Sequence, residues 1–90
     1  MKIELRKFGL VLTSRPDGRE AFAGIRPTLD LSAPHVEIDF AGVLSLSPSW
    51  ADEFFGELQK IYGDRLTYLP SDNPSVKATL RILKEQHNGS

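Results

Sequence analysis

Residues 36–63 read VEIDFAGVLSLSPSWADEFFGELQKIYG, which predicts a short strand, a loop and a long helix. The strand covers residues 36–40, because a short apolar run that feeds a helix is typical of an α/β unit. Ser47 is placed to cap the helix, since Pro48 then takes the first helical position, which proline favours. Gly63 is placed to end the helix in a left-handed conformation.

The sequence before this stretch predicts two strands and a helix. Residues 2–6 alternate polar and apolar side chains, and an apolar run follows Gly9 at residues 10–13, so we expect a β-hairpin or at least two adjacent strands. Ser14 is placed to cap a helix that Pro27 then ends.

The sequence after the central helix predicts one more strand, at residues 65–69, and a last helix that Asn73 caps. We expect residues 87–90 to fray, because chain ends hold few contacts. The predicted order is β-β-α-β-α-β-α. Right-handed crossovers between parallel strands then place the helices mainly on one face of the sheet.

We therefore expect an α/β fold of α+β-like character, with a four-stranded mixed sheet, in a single domain over residues 1–90. Val43, Leu44 and Leu46 fall in the loop after the central strand, and we expect these apolar residues to pack beneath it.

The composition excludes several classes of function. The chain is 40% hydrophobic and 26% charged, which is ordinary for a soluble globular domain. It contains no cysteine and two isolated histidines, so we expect no thiol chemistry, no metal site and no cofactor. Its N-terminus is unlike a signal peptide, and no apolar run is long enough for a membrane helix, so we expect a cytoplasmic protein.

The net charge of −1 is unevenly distributed along the chain. Residues 1–26 carry a net charge of +3, residues 27–57 carry −6 with no basic side chain, and residues 58–90 carry +2. An acidic middle argues against direct nucleic-acid binding there, because phosphate contacts need Lys and Arg.

Two segments carry a resemblance to a known family. Residues 39–43 read DFAGV, and residues 47–53 read SPSWADE at the start of the central helix. Together they resemble the signature of a bacterial family, the STAS-like domain of unknown function. The pair Ser14-Arg15 and residues 73–76 are weaker flanking features of the same resemblance.

The resemblance implies a relation to true STAS domains, which include bacterial anti-sigma factor antagonists. Those domains carry a regulatory serine that a kinase partner phosphorylates to switch binding. In this chain the position of that serine is occupied by Pro48, and the glycine of the motif is replaced by Trp50. A phosphorylation switch of this type would therefore have to use a neighbouring serine, Ser47 or Ser49.

The candidate site residues each have a structural and a functional interpretation. Ser47 and Ser49 either cap the helix or accept a phosphoryl group beside its N-terminus. Asp39 ends the central strand and either braces the following loop or binds a ligand. Arg15 either pairs with a nearby acid or contacts an anion or a partner's carboxylate.

Trp50 and the adjacent pair Phe54 and Phe55 point in different directions around one helix. Either one of these aromatics is exposed as a contact residue, or the helix packs on both the sheet and a neighbouring helix. Asp52 and Glu53 lie in the first turn, where the helix dipole favours acids. Neighbouring residues diverge around a helix, so these two are not spaced as an acid–base pair. We find no catalytic set and expect no enzymatic activity.

We expect a small non-enzymatic regulatory module that binds another protein. By the resemblance, its partner is a histidine-kinase-like ATPase or another regulator in bacterial signalling or transcription control. The alternative is a binding domain for a small anionic ligand or nucleotide at residues 47–52. We expect a monomer or weak homodimer. The candidate binding residues are Ser14, Arg15, Asp39, Ser47, Ser49, Trp50, Asp52 and Glu53.

Overall fold

A computed structural model describes residues 1–88, with side-chain burial described through residue 85. Its elements are β1 (Lys2–Glu4), β2 (Val11–Leu12), α1 (Arg15–Ile25), β3 (Val36–Asp39), β4 (Ser45–Leu46), α2 (Pro48–Tyr62), β5 (Leu66–Tyr68) and α3 (Pro74–Asn88). We expected residues 87–90 to fray. Residues 89 and 90 lie outside the described chain, so this stays a prediction.

The strands form two separate parallel sheets. The larger sheet has the order β1-β3-β5, with Ile38 of β3 opposite Ile3 and Tyr68. The smaller sheet pairs β2 with β4, with Val11 opposite Ser45. The expected four-stranded mixed sheet is therefore wrong, and a strand that the sequence did not predict, β4, is added to the order.

The expected hairpin at residues 2–13 is also wrong. Leu5 to Phe8 form a 3-10 turn between β1 and β2, which then pair with β3 and β4 in different sheets. Leu5 and Leu12 are both fully buried. Leu5 is buried on the same side as Ile3, as the alternation predicts, but the 3-10 turn that begins at Leu5 ends the extended backbone, and β1 and β2 join different sheets.

The loop after β3 differs from the expectation at one residue. Val43 and Leu46 are buried as predicted, and Leu46 belongs to β4. Leu44 is instead 64% exposed, in the loop directly before β4.

The three predicted helices are confirmed. Ser14 and Ser47 cap α1 and α2 with their hydroxyl oxygens, and the Asn73 side-chain oxygen accepts hydrogen bonds from the first amides of α3. Gly63 has a φ of 57° directly after α2, a conformation that glycine adopts without the steric cost of a side chain.

The core lies between the larger sheet and α2. Val36, Ile38 and Phe40 are buried on one side of β3, whereas Glu37 is exposed on the other. The strand order β1-β3-β5 with α1 and α2 as crossovers places both helices on the buried side, where they pack against each other. Helix packing on one face of this sheet is thus as expected.

No aromatic of the α2 start is exposed, so of the two interpretations the structure has the helix packed on two sides. Trp50, Phe54 and Phe55 are all at most 2% exposed. Trp50 and Phe54 form one aromatic cluster with Phe8 and Phe22, on the α1 side. Phe55 packs against Phe40 and Tyr68 of the larger sheet. Both directions around α2 are buried because the helix lies between α1 and the sheet.

Candidate functional site

The N-terminal ends of α1 and α2 lie side by side. The parallel strands β2 and β4 each lead directly into a helix, so their pairing aligns the two helix starts. Gly18 of α1 touches the backbone of Trp50 in α2, which only a residue without a side chain allows. This close approach brings together Ser14, Arg15, Ser47, Ser49, Trp50, Asp52 and Glu53, seven of the eight predicted site residues.

Ser47 connects the two helix starts. Its hydroxyl donates a hydrogen bond to the Thr13 carbonyl at 2.6 Å and accepts one from the Trp50 amide at 3.2 Å. Ser47 therefore has the contacts of a helix cap, as the first of its two interpretations predicted. A phosphoryl group on Ser47 would have to break the bond to Thr13.

Ser49 lies in the first turn of α2 and is half-buried. None of the described residues forms a hydrogen bond with its hydroxyl, so its modification would break no such contact. Phosphorylation of Ser49, like that of Ser47, stays a prediction.

Arg15 forms an ion-pair cluster with the start of α2. Its Nη1 lies 3.1 Å from Asp52 Oδ2 and 3.0 Å from Glu53 Oε1, and Arg19 Nη2 lies 3.4 Å from the same Glu53 oxygen. The hydrogen bond from Arg15 holds the pKa of the Glu53 carboxyl below its usual value. Of the two interpretations of Arg15, the structure therefore supports pairing with nearby acids, here Asp52 and Glu53.

Asp39 has different neighbours from the ion-pair cluster. Its Oδ1 accepts a hydrogen bond from the Ala41 amide at 2.9 Å, and its Oδ2 lies 3.5 Å from Lys2 Nζ. The Ala41 hydrogen bond lowers the pKa of this carboxyl. The contacts are those of a residue that braces the loop after β3.

Three polar side chains at the start of α3 hold the loop and β4 in place. The Asn73 amide donates to the carbonyls of Val43 and Leu44, at 2.9 and 3.1 Å. The hydroxyls of Ser75 and Thr79 bind the backbone of Leu46. This role of Ser75 and Thr79 was not predicted, although their spacing of four places them on one face of a predicted helix.

The same region exposes a group of large apolar side chains, which we call the apolar edge: Leu10, Val11 and Leu44. They are 50%, 60% and 64% exposed. Their backbones are adjacent, because the Leu44 amide donates to the Leu10 carbonyl at 2.8 Å. The sequence showed apolar residues here but assigned them to a hairpin strand and to a packed loop.

The described residues contain no group of three or more His, Cys, Asp or Glu side chains arranged to hold a metal ion. Among residues 1–88, none of the three helices combines the length and the apolar character that membrane crossing requires.

One comparison with known proteins gives a match. A family model described as a STAS-like domain of unknown function matches residues 17–76, which is most of the chain. The match confirms the resemblance carried by residues 39–53 and includes Asn73, whereas Ser14 and Arg15 lie outside it. Neither the curated proteins nor the solved structures gave a match.

Proposed function

Since the chain belongs to the family of STAS-like domains of unknown function, we propose that it is a non-enzymatic module that binds another protein and takes part in regulation. The docking surface consists of the apolar edge and the ion-pair cluster of Arg15, Asp52 and Glu53, which lies at the starts of the two helices that follow β2 and β4. By the relation to STAS domains, a histidine-kinase-like ATPase or another regulator is the class of partner to test first.

The observation that carries this proposal is the apolar edge. Leu10, Val11 and Leu44 remain in water although the chain has a core that buries most of its large apolar side chains. Neighbouring exposed apolar residues next to charged ones are typical of protein–protein interfaces, because a partner can remove the apolar surface from water.

The ion-pair cluster suits a surface that changes partners. Arg15 is about half exposed and Asp52 slightly more so, and exposed ion pairs contribute only about 0–1 kcal/mol each. A partner's carboxylate can therefore replace Asp52 on Arg15 at little cost. Such an exchange would alter the contacts between α1 and α2 on binding.

A matched pair of leucine substitutions tests the docking surface. Leu44 and Leu31 are both 64% exposed, and Leu31 lies in the loop between α1 and β3. We expect Leu44→Ser to abolish co-purification and photo-crosslinking of the partner that the unmodified chain captures, whereas Leu31→Ser retains both. Circular dichroism checks that both variants fold.

Equal capture by Leu44→Ser and Leu31→Ser would contradict the proposed surface. Thermal stabilisation by nucleotides or inorganic phosphate, without any captured protein, would favour the anionic-ligand alternative at residues 47–52.

A further inference from the structure

We propose that the outer edge of β2 binds an extended segment of a partner protein that carries both apolar and basic side chains. The inference rests on the proposed function, because it specifies what a protein partner presents to this module. Three features of the structure carry it: a strand edge without a hydrogen-bonding partner among the described residues, a groove of mixed apolar and acidic lining beside that edge, and two unpaired carboxylates at the groove.

β2 is hydrogen-bonded along one edge. The carbonyls of Leu10 and Leu12 accept hydrogen bonds from the amides of Ser45 and Ser47, at 3.2 and 2.9 Å. Backbone groups of successive strand residues point to opposite sides, so the N–H and C=O groups of Val11 face away from β4. None of the described residues pairs with them, and they are free to bind an added strand.

The opposite edge of the same sheet is closed. The Leu46 amide donates to Ser75 Oγ at 2.9 Å, and the Leu46 carbonyl accepts from Ser75 Oγ at 3.1 Å and from Thr79 Oγ1 at 2.6 Å. Side chains of α3 thus occupy the positions that an added strand would need beside β4. In this small sheet, strand addition is possible only beside β2.

A groove of ≈ 380 Å³ lies beside β2 and α1. Its apolar lining comes from Phe8, Val11, Leu12, Ala21 and Trp50. Apolar side chains of a segment paired with Val11 can enter this groove, which is how added strands gain specificity beyond their backbone hydrogen bonds.

The charged residues of the groove determine the chemistry of the segment. Asp17 and Glu20 line it three positions apart on α1, so they lie on the same side of the helix. Both are exposed, neither forms a salt bridge with a described residue, and no Lys or Arg is among the groove-lining residues. Two unpaired carboxylates attract lysine or arginine and repel an acidic segment.

The first experiment uses a model peptide, acetyl-Lys-Val-Ile-Arg-Val-Lys-amide, titrated into the full ¹⁵N-labelled chain at low salt. We expect chemical-shift changes concentrated in β2 and the first half of α1. Amide hydrogen exchange of Val11 should slow at least about tenfold at saturation, because its N–H gains a partner. A peptide with glutamate in place of the three basic residues should not bind.

The second experiment removes the two carboxylates. We expect the double variant Asp17→Asn, Glu20→Gln to bind the basic peptide roughly tenfold more weakly, because it loses two exposed ion pairs with the peptide. As a matched control, Asp64→Asn and Glu85→Gln remove two exposed carboxylates elsewhere and should leave binding unchanged.

Unchanged exchange at Val11, shifts confined to another face, or equal binding by the Asp17/Glu20 double variant would overturn the inference. Concentration-dependent protection of Val11 without peptide would also overturn it, because the occupant would then be a second copy of the chain. If these tests fail but capture of a partner still depends on Leu44, this inference is wrong and the proposed function stands.

Discussion

Gly18 provides the sharpest test of how the two helix starts are held together. An ideal Cβ at this position would lie 2.5 Å from the Trp50 carbonyl oxygen, 3.0 Å from its Cα and 3.1 Å from its carbonyl carbon. All three atoms belong to the backbone of α2, so no side-chain rotation relieves the contact. Gly18→Ala therefore has to move α1 and α2 apart.

The expected effect on stability is the sum of two opposing contributions. Alanine is a better helix former than glycine by about 1 kcal/mol. Overpacking a well-packed contact costs roughly 1–3 kcal/mol, and a clash with rigid backbone belongs at the upper end of that range. We expect Gly18→Ala to lower the free energy of unfolding by about 2 kcal/mol, the cost of about 3 less the gain of about 1.

Urea unfolding followed by circular dichroism at 222 nm and by the fluorescence of Trp50 measures this change. A loss of about 2 kcal/mol corresponds to a melting temperature lower by roughly 8–16 °C in a domain of this size. The emission of Trp50 should also shift in the folded state, because its own backbone carries the clash.

Gly24 supplies the control within the same helix. An added Cβ there meets no atom within 4 Å, so Gly24→Ala should keep the helix-forming gain of up to about 1 kcal/mol and raise the melting temperature. If Gly18→Ala proved as stable as Gly24→Ala, the close approach of α1 and α2 would be refuted, and with it the alignment of the candidate site.

Two further predictions concern the polar contacts around the site. Asn73→Ala removes the α3 cap and two hydrogen bonds to the loop and should cost about 2–3 kcal/mol, whereas Asn73→Ser keeps a cap and should cost about 1 kcal/mol less; equal urea midpoints for the two variants would contradict this. The lowered pKa of Glu53 means that its pairing with Arg15 stabilises the fold above the carboxyl's ordinary value of about 4.3 and that this stabilisation is lost as the pH falls through the folded pKa. Between about pH 5 and pH 3, Glu53→Gln should therefore show a smaller loss of unfolding free energy than the unmodified chain, and identical pH profiles would argue against the pairing.

The elements that the sequence predicted correctly are those specified by local signals. α2 begins at the Ser47-Pro48 cap and ends before Gly63, as expected, because capping and termination depend on residues within one helix. The pairing of β2 with β4 was missed, since its partners Val11 and Ser45 lie far apart in the sequence and each strand has two residues. Strands this short show no recognisable alternation.

The sequence predicted which region holds the candidate site, but not which of its residues contact each other. The sequence placed Arg15 near a helix start and Glu53 in the first turn of another, but their ion pair depends on helix packing that spacing within either helix does not reveal. Trp50 was a candidate contact residue and is buried, because α2 is covered on two sides. Asp17 and Glu20 were not among the candidate site residues, because only the folded chain shows that both line one groove beside β2.

The two edges of the small sheet differ in a way that supports a binding role for β2. Proteins that only need to prevent aggregation protect open strand edges with charges, proline or a covering element. At β4 the chain does so, with the hydroxyls of Ser75 and Thr79 on the Leu46 backbone. At β2 the edge carries Val11, which is 60% exposed, and the nearby charges lie on α1 instead of the strand. Charges placed beside an open edge leave its backbone accessible and select for a segment of opposite charge, as a specific docking edge requires.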